Sequence, residues 1–194
     1  MKHRNCHFAV GYWSRLRRGR AVPDQADIDP KALKRVLPIV FLLDTRPDGR
    51  FVYRLAGTGL CERYGTELRG LNFLSQWDTD SRSRLGILLS EALTTRSPVC
   101  LTSIGATQDC RMVEIETVLM PITYGAGEPK HFLGIAQFLS DGAALAGGVV
   151  SFERLVSASI VREGDGLSYR ESSPEQPSLA RSPTRGAHLR LVVS

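Results

Sequence analysis

Arg50-Phe-Val-Tyr-Arg-Leu-Ala-Gly-Thr-Gly-Leu-Cys-Glu-Arg-Tyr-Gly-Thr-Glu-Leu-Arg-Gly70 reads as a strand, a Gly-Thr break, a short helix and a second glycine-bounded turn. Phe51, Tyr53 and Leu55 alternate with Val52, Arg54 and Ala56, the period of a strand with two different faces. Gly57 and Gly59 let the chain leave the strand at backbone angles that other residues avoid, and Gly65 and Gly70 bracket the next segment in the same way. A strand feeding short, glycine-punctuated helices on one side of a sheet makes a pocket. It is not the usual way to display a catalytic nucleophile.

Upstream, Pro38 to Asp44 is a near-continuous apolar run and is expected to be a central strand. Arg46-Pro47-Asp48-Gly49 joins it to residues 50–56 as a hairpin, because Pro presets φ and Gly supplies the left-handed position. Asp29-Pro30 has the form of a helix start, Asp as N-cap and Pro at the first helical position, with Leu33, Val36 and Leu37 on the buried side. Phe8, Tyr12, Trp13 and Leu16 recur at helical spacing while Arg15, Arg17 and Arg18 fall elsewhere around the axis, which predicts an amphipathic N-terminal helix ended by Gly19. Downstream, residues 57–80 read as short helical pieces. Asp80 or Ser81 is expected to cap a longer helix whose Leu85, Leu88, Leu89, Ala92 and Leu93 share a face, with Pro98 beyond its end. Three strands follow, Val99 to Thr107, Arg111 to Ile122 and Phe132 to Leu139, joined as hairpins.

Helices set between two groups of strands indicate an α+β fold with an antiparallel sheet. The expected organisation is an N-terminal helical cap over 1–30, a domain over 31–140, a linker and docking segment over 141–169, and a disordered tail over 170–194, rich in Ser and Pro. Val149 to Val161 is apolar enough to dock either as helix or as strand. Leu189 to Val193 has the makings of a short apolar strand.

Composition excludes several classes. The chain has 194 residues and a formal charge of +5, and its basicity lies at the ends: residues 1–20 hold six basic side chains and no acid, while the middle is near neutral. A nucleic-acid reader wants a basic face on the folded domain itself, so specific nucleic-acid binding is not expected. No run approaches the roughly 18 apolar residues of a membrane span, and Phe8-Ala9-Val10 is too short for a signal peptide, so a cytoplasmic protein is expected. Cys6, Cys61, Cys100 and Cys110 lie far apart and read as free thiols, with no metal cluster; Cys100 and Cys110 can face each other across a hairpin. Gly57-Thr-Gly59-Leu-Cys-Glu62 lacks the last glycine and the parallel setting of a dinucleotide fingerprint, and Gly65 to Gly70 is not followed by Lys-Ser/Thr. There is no G-x-S-x-G and no H-E-x-x-H. Glu114 and Glu116 share a strand face and are expected to be solvated. His3, His7, His131 and His188 fall in tails or at a strand start and are expected to be solvated too.

The two-plus-three strand order around a helical middle resembles the PAS superfamily. Tyr12-Trp13, Leu16-Arg17, Gly19-Arg20, Pro23 and Asp29-Pro30, with Arg54 to Thr58 and Gly65 to Gly70, are similar to the short stand-alone PAS-like proteins of alphaproteobacteria, over roughly residues 9–140. The resemblance implies a five-stranded antiparallel sheet with helices on one face. It also implies a non-catalytic cytoplasmic module of signalling, motility or cell-cycle control that works through signalling-protein partners. No kinase or cyclase domain is attached in this sequence, so output is expected to pass through protein contacts.

In such a fold the inner sheet face and the short helices enclose an apolar space. Tyr53, Leu55, Tyr64, Phe73, Trp77, Leu88, Met112 and Ile115 are its expected lining, against the plainer reading that they fill a core. The alternative function is a sensor in which a small apolar metabolite in this pocket is the signal. No cofactor is expected: the surroundings of Cys61, Gly-Leu-Cys-Glu-Arg-Tyr, do not match the Asn-Cys-Arg-Phe-Leu-Gln of photosensory flavin domains, and no His lies on the long helix as haem members require. Tyr12, Trp13, Leu16 and Arg17 are the expected interface, covering a sheet edge across a homodimer or within one chain. A third reading of this helix is contact with an anionic surface through its arginines.

Overall fold

The structure is a computed structural model describing residues 1–139, 145 and 147–161. Its centre is one antiparallel sheet: β1 (Val40–Thr45), β2 (Phe51–Ala56), β3 (Val99–Ala106), β4 (Met112–Ile122), β5 (His131–Phe138) and β6 (Phe152–Ile160), in the spatial order β2-β1-β5-β4-β3-β6. The α+β architecture expected from the sequence is present. The strand count is six rather than five, because the segment that sequence periodicity left open as helix or strand forms β6 and pairs along the whole of β3, Ala106 with Phe152 to Val99 with Ile160.

Two layers cover the two faces. On the inner face lie α2 (Thr58–Tyr64), a 3₁₀ turn over Phe73–Gln76, and α3 (Thr79–Thr95). Gly65 closes α2 in the left-handed conformation, φ 64°, the C-terminal stop that glycine provides. Asp78, not Asp80 or Ser81, caps α3 and accepts from the Ser81 N–H at 2.8 Å. Leu85, Leu89 and Ala92 of α3 pack into a core with Phe41, Leu43, Phe51, Leu101, Ile115, Leu119 and Phe132 from the sheet.

On the outer face lies α1 (Arg4–Leu16). Its Cys6, Ala9, Val10 and Trp13 join Val118, Met120, Ile122, Leu133 and Ile135 in a second core. Residues 29–37 run beside it as successive tight turns, with Leu33 and Val36 buried in the same core. The helix expected from Asp29-Pro30 does not form. Only seven residues separate Pro30 from Pro38, and the residue before a proline is steered away from helical angles.

Candidate functional site

The most unusual chemistry in the interior is a carboxyl group. Glu153 on β6 is 1% exposed. Tyr64 Oη of α2 and Gln76 Nε2 of the 3₁₀ turn (3.3 Å) donate to its Oε1, and Ser103 Oγ of β3 donates to its Oε2 at 2.7 Å. Gln76 Nε2 also reaches Tyr53 Oη at 3.2 Å. Burial pushes the Glu153 carboxyl above its ordinary range, and the three hydrogen bonds only partly offset it. The same burial, with the Glu153 charge next in size, raises the Tyr53 and Tyr64 phenols. All three donors are neutral, so hydrogen bonding alone stabilises an ionised Glu153.

The group also ties elements together. Its backbone oxygen accepts from Asp78 N–H at 3.0 Å, Leu155 N–H donates to Ser81 Oγ at 2.8 Å, and Arg154 Nε lies 3.1 Å from Asp78 Oδ2. An open cleft of about 480 Å³, lined by Asp78, Ser81, Arg84 and Arg154 among others, runs along the outside of this joint. Leading into β6, Val150 N–H bonds to Arg63 O and Ser151 N–H to Ala106 O, while Leu145 and Val150 are buried in the inner core. Residues 147–161 thus pass close to the end of α2, follow β3, and place one carboxyl in the interior.

Of the eight residues expected to line a pocket, Tyr53, Tyr64, Phe73, Trp77 and Ile115 are buried together on the inner face, and Leu88 packs against them half-buried. Phe73 is the hub, its ring centroid 6.0 Å from Phe41, 5.9 Å from Tyr53 and 5.7 Å from Trp77. Two residues lie elsewhere. Leu55 is 48% exposed, because the β1–β2 register shifts between Leu42 and Leu43 and breaks the alternation that would have put it beside Tyr53. Met112 is 68% exposed; three positions from Ile115 on the same strand, it points to the opposite face. Glu153, Ser103 and Gln76 were missed. For the first the signal was an acid between the apolar residues of Phe152-Glu-Arg-Leu-Val156, and without knowing that this segment is a strand its parity could not be used.

The expected interface residues also fall differently. Trp13 is 2% exposed and its Nε1 donates to Pro121 O at 2.7 Å. Tyr12 is buried, and its Oη accepts from Asp29 N–H at 2.8 Å. The two aromatics therefore cap the sheet within one chain and are not available to a second copy. Leu16 is half-buried on the same core, and the Arg17 guanidinium stacks 5.4 Å from the Trp13 ring.

Glu116 is not solvated as its strand position suggested: it is 1% exposed and accepts the N–H groups of Lys2 and His3 at the start of α1. Burial alone would raise this carboxyl, but the His3 and Lys2 N–H bonds, the Cys6 thiol and the N-terminal charge together outweigh it and hold Glu116 below its ordinary value. His3 and His131 are likewise engaged, His3 Nδ1 capping α1 through Asn5 N–H and His131 Nδ1 lying 2.9 Å from Asp44 Oδ1. The four cysteines are free thiols, with Cys100 buried and Cys110 exposed in a turn; the partner of Cys100 across the hairpin is Val118. The Cys61 thiol lies 3.7 Å from Glu67 Oε1. The expectations for His188, for the tail over 170–194 and for Leu189 to Val193 lie outside the described residues. No helix among the described residues is long and apolar enough to cross a membrane.

A family model described as a PAS domain matches residues 1–137. No curated protein is detectably similar to the chain in sequence. Among solved structures, the Rhodobacter sphaeroides LOV protein is 16% identical, with 61% of this chain and 72% of that one covered at a TM-score of 0.44. The light-state structure of the blue-light photoreceptor Aureochrome1 LOV is 18% identical, covering 60% and 92% at 0.43. A Vibrio cholera VqmA–ligand–DNA complex is 17% identical, covering 58% and 51% at 0.38.

Proposed function

The chain belongs to the PAS domain family, and from that premise we propose that it is a non-catalytic cytoplasmic regulatory module that acts on signalling proteins by contact, in bacterial motility or cell-cycle control. The observation that carries this reading is the attachment of β6. One buried carboxyl joins it to α2, the 3₁₀ turn and β3, and its backbone joins it to the start of α3. Any change in the interior that alters those bonds changes how β6 is held. Its outward side chains Phe152 and Val156 are exposed and apolar, which suits a surface that meets a partner. The test is capture from the native cell by wild-type protein and by a Phe152→Glu/Val156→Glu variant. A defined set of signalling proteins lost with the variant supports the reading; turnover that depends on an interior residue overturns it.

A second reading, a sensor for a small molecule, is favoured by one atom. Trp77 Nε1 is buried without a hydrogen-bond partner among the described residues, and a ligand bringing an acceptor oxygen would remove that cost of about 1–3 kcal/mol. Native mass spectrometry of purified protein checks it. A bound mass that disappears in Trp77→Phe supports a sensor, and only the bare chain mass with no melting shift across a metabolite panel counts against it.

A further inference from the structure

The outer layer of the molecule is electrically unlike the rest. Residues 1–36 hold nine Lys and Arg against three Asp, whereas residues 37–139 hold ten against eleven. Elsewhere Arg46, Arg50, Arg96, Arg111 and Arg154 sit beside carboxylates, and in this layer Lys2 pairs with Glu114 and Arg20 with Asp27. On it, Arg4, Arg15, Arg18, Lys31, Lys34 and Arg35 are exposed, and none of the six meets a carboxylate among the described residues.

These cations form one surface, not two. Arg4 and Arg15 lie eleven residues apart on α1, three helical turns, so they face the same way about 16 Å apart. Lys31, Lys34 and Arg35 belong to the turns beside α1. Tyr12 Oη bonded to Asp29 N–H stitches the two strips together, and so does the Arg35 guanidinium 5.2 Å from the Phe8 ring. His3 senses both strips: burial lowers its proton affinity most, and Arg4 and Arg35 each lower it further.

Gathering like charges with few counter-charges is unfavourable for the isolated fold, and a partner of opposite sign reverses that cost. Three classes of partner carry such charge. A bilayer takes an amphipathic helix by its apolar face, and that face of α1 is buried against the sheet. A phosphodiester backbone offers negative charge throughout, and exposed Asp29 at the junction of the strips would repel it. A protein surface can set a donor against Asp29 and carboxylates against the cations. The mixture of Arg with half-buried Phe8 and Leu16 and exposed Leu37 is also the composition of protein interfaces.

We infer that this layer docks an acidic face of a partner protein, with the six cations as its carboxylate contacts. The inference rests on the reading that the module works by protein contact, and it names the surface and the chemistry of what it meets. The full chain is titrated calorimetrically with a short poly-glutamate peptide, with phosphatidylserine-containing vesicles and with an RNA duplex, at an ionic strength of about 0.02 M and again at about 0.15 M. Binding of the peptide that weakens about tenfold or more in Arg4→Glu/Arg35→Glu and in Arg15→Glu/Arg18→Glu is the expected result. These positions are exposed, and melting curves confirm that the variants fold. The inference is overturned by no peptide binding at low salt, by binding that both variants retain, or by vesicles or RNA binding more tightly than the peptide. Peptide binding together with turnover dependent on an interior residue supports the surface and overturns the regulatory reading. No peptide binding in a protein whose β6 variant loses its partners does the reverse.

Discussion

Glu153 has three donors around it and all of them are neutral, and this decides its response to pH. Its folded-state proton affinity is raised, chiefly by burial. A raised carboxyl contributes stability that is fully present below its unfolded value, near 4.5, and that is lost as pH rises through the folded value. Wild-type stability measured by urea melts should therefore fall relative to Glu153→Gln as pH climbs above that range; parallel curves would refute it. Glu116 has the opposite sign. Burial raises its affinity, but the N–H groups it accepts, the Cys6 thiol and the N-terminal charge lower it by more, so its contribution is present above about 4.5 and fades as pH falls. Acidification should release the start of α1 first, seen as faster amide exchange at residues 2–10 while β3 to β5 stay protected. Gly57 is a third single-residue constraint. A Cβ there would lie 2.3 Å from Leu37 O and 2.5 Å from Pro38 C, backbone that cannot rotate away. Gly57→Ala should cost about 1–3 kcal/mol or more, in thermal or chemical melts.

At the scale of elements, α1 and β6 attach to the same sheet by different physics. α1 is held by apolar burial over Cys6, Ala9, Val10 and Trp13, with a carboxylate at one end and the Trp13–Pro121 bond near the other. Trp13→Ala should lose about 3–5 kcal/mol. The Tm of wild type and variant should not change with protein concentration, since the contact lies within one chain; a concentration-dependent Tm would restore the dimer reading. β6 is an edge strand with a polar tether. Its outward side is partly apolar and exposed at Phe152 and Val156, and its inward anchor is a hydrogen-bonded acid. Such an element opens more readily than a central strand. Trp77, one residue before the α3 cap, bears on the same joint: Trp77→Ala should cost about 3–5 kcal/mol because the indole fills the inner core, and denaturant melts measure it.

For the whole molecule, the sheet separates two compartments with different properties. The inner one is aromatic, with a single buried acid among the described residues; the outer one is a thin helical cover whose exposed side carries a net positive charge. The separation places the interior acid and the charged outer surface on opposite sides of one sheet. The closing contacts of β3 with β4 and β6 span most of the sheet's length, so a shift of β6 is felt by the strand that carries Ser103 and, one strand further, Glu116 under α1.

Most of the element order is legible in the sequence, because apolar period is a local property; the exceptions are the missing helix over 30–37 and the strand β6. The strands over 40–45, 51–56, 99–106, 112–122 and 131–138, and the helices on 4–16 and 79–95, all follow from alternation, helical spacing and glycine or proline punctuation. The sequence by itself also determined most of the buried aromatic cluster, since Tyr53, Tyr64, Phe73 and Trp77 have few other places to go. Leu55 and Met112 were misplaced for two separate reasons. A register shift in β1–β2 is invisible in a single strand's pattern, whereas the parity of Met112 against Ile115 was legible. Tertiary structure alone decided that Trp13 caps its own sheet, that residues 152–160 complete that sheet, and that Glu153 and Glu116 are buried. An acid on a strand is solvated by default, because burial without partners costs more than the fold can return. Only when distant segments bring donors to it, Tyr64 and Ser103 in one case and the N–H groups of residues 2 and 3 in the other, does the same residue become an interior anchor, and that convergence is not written in any local stretch of the chain.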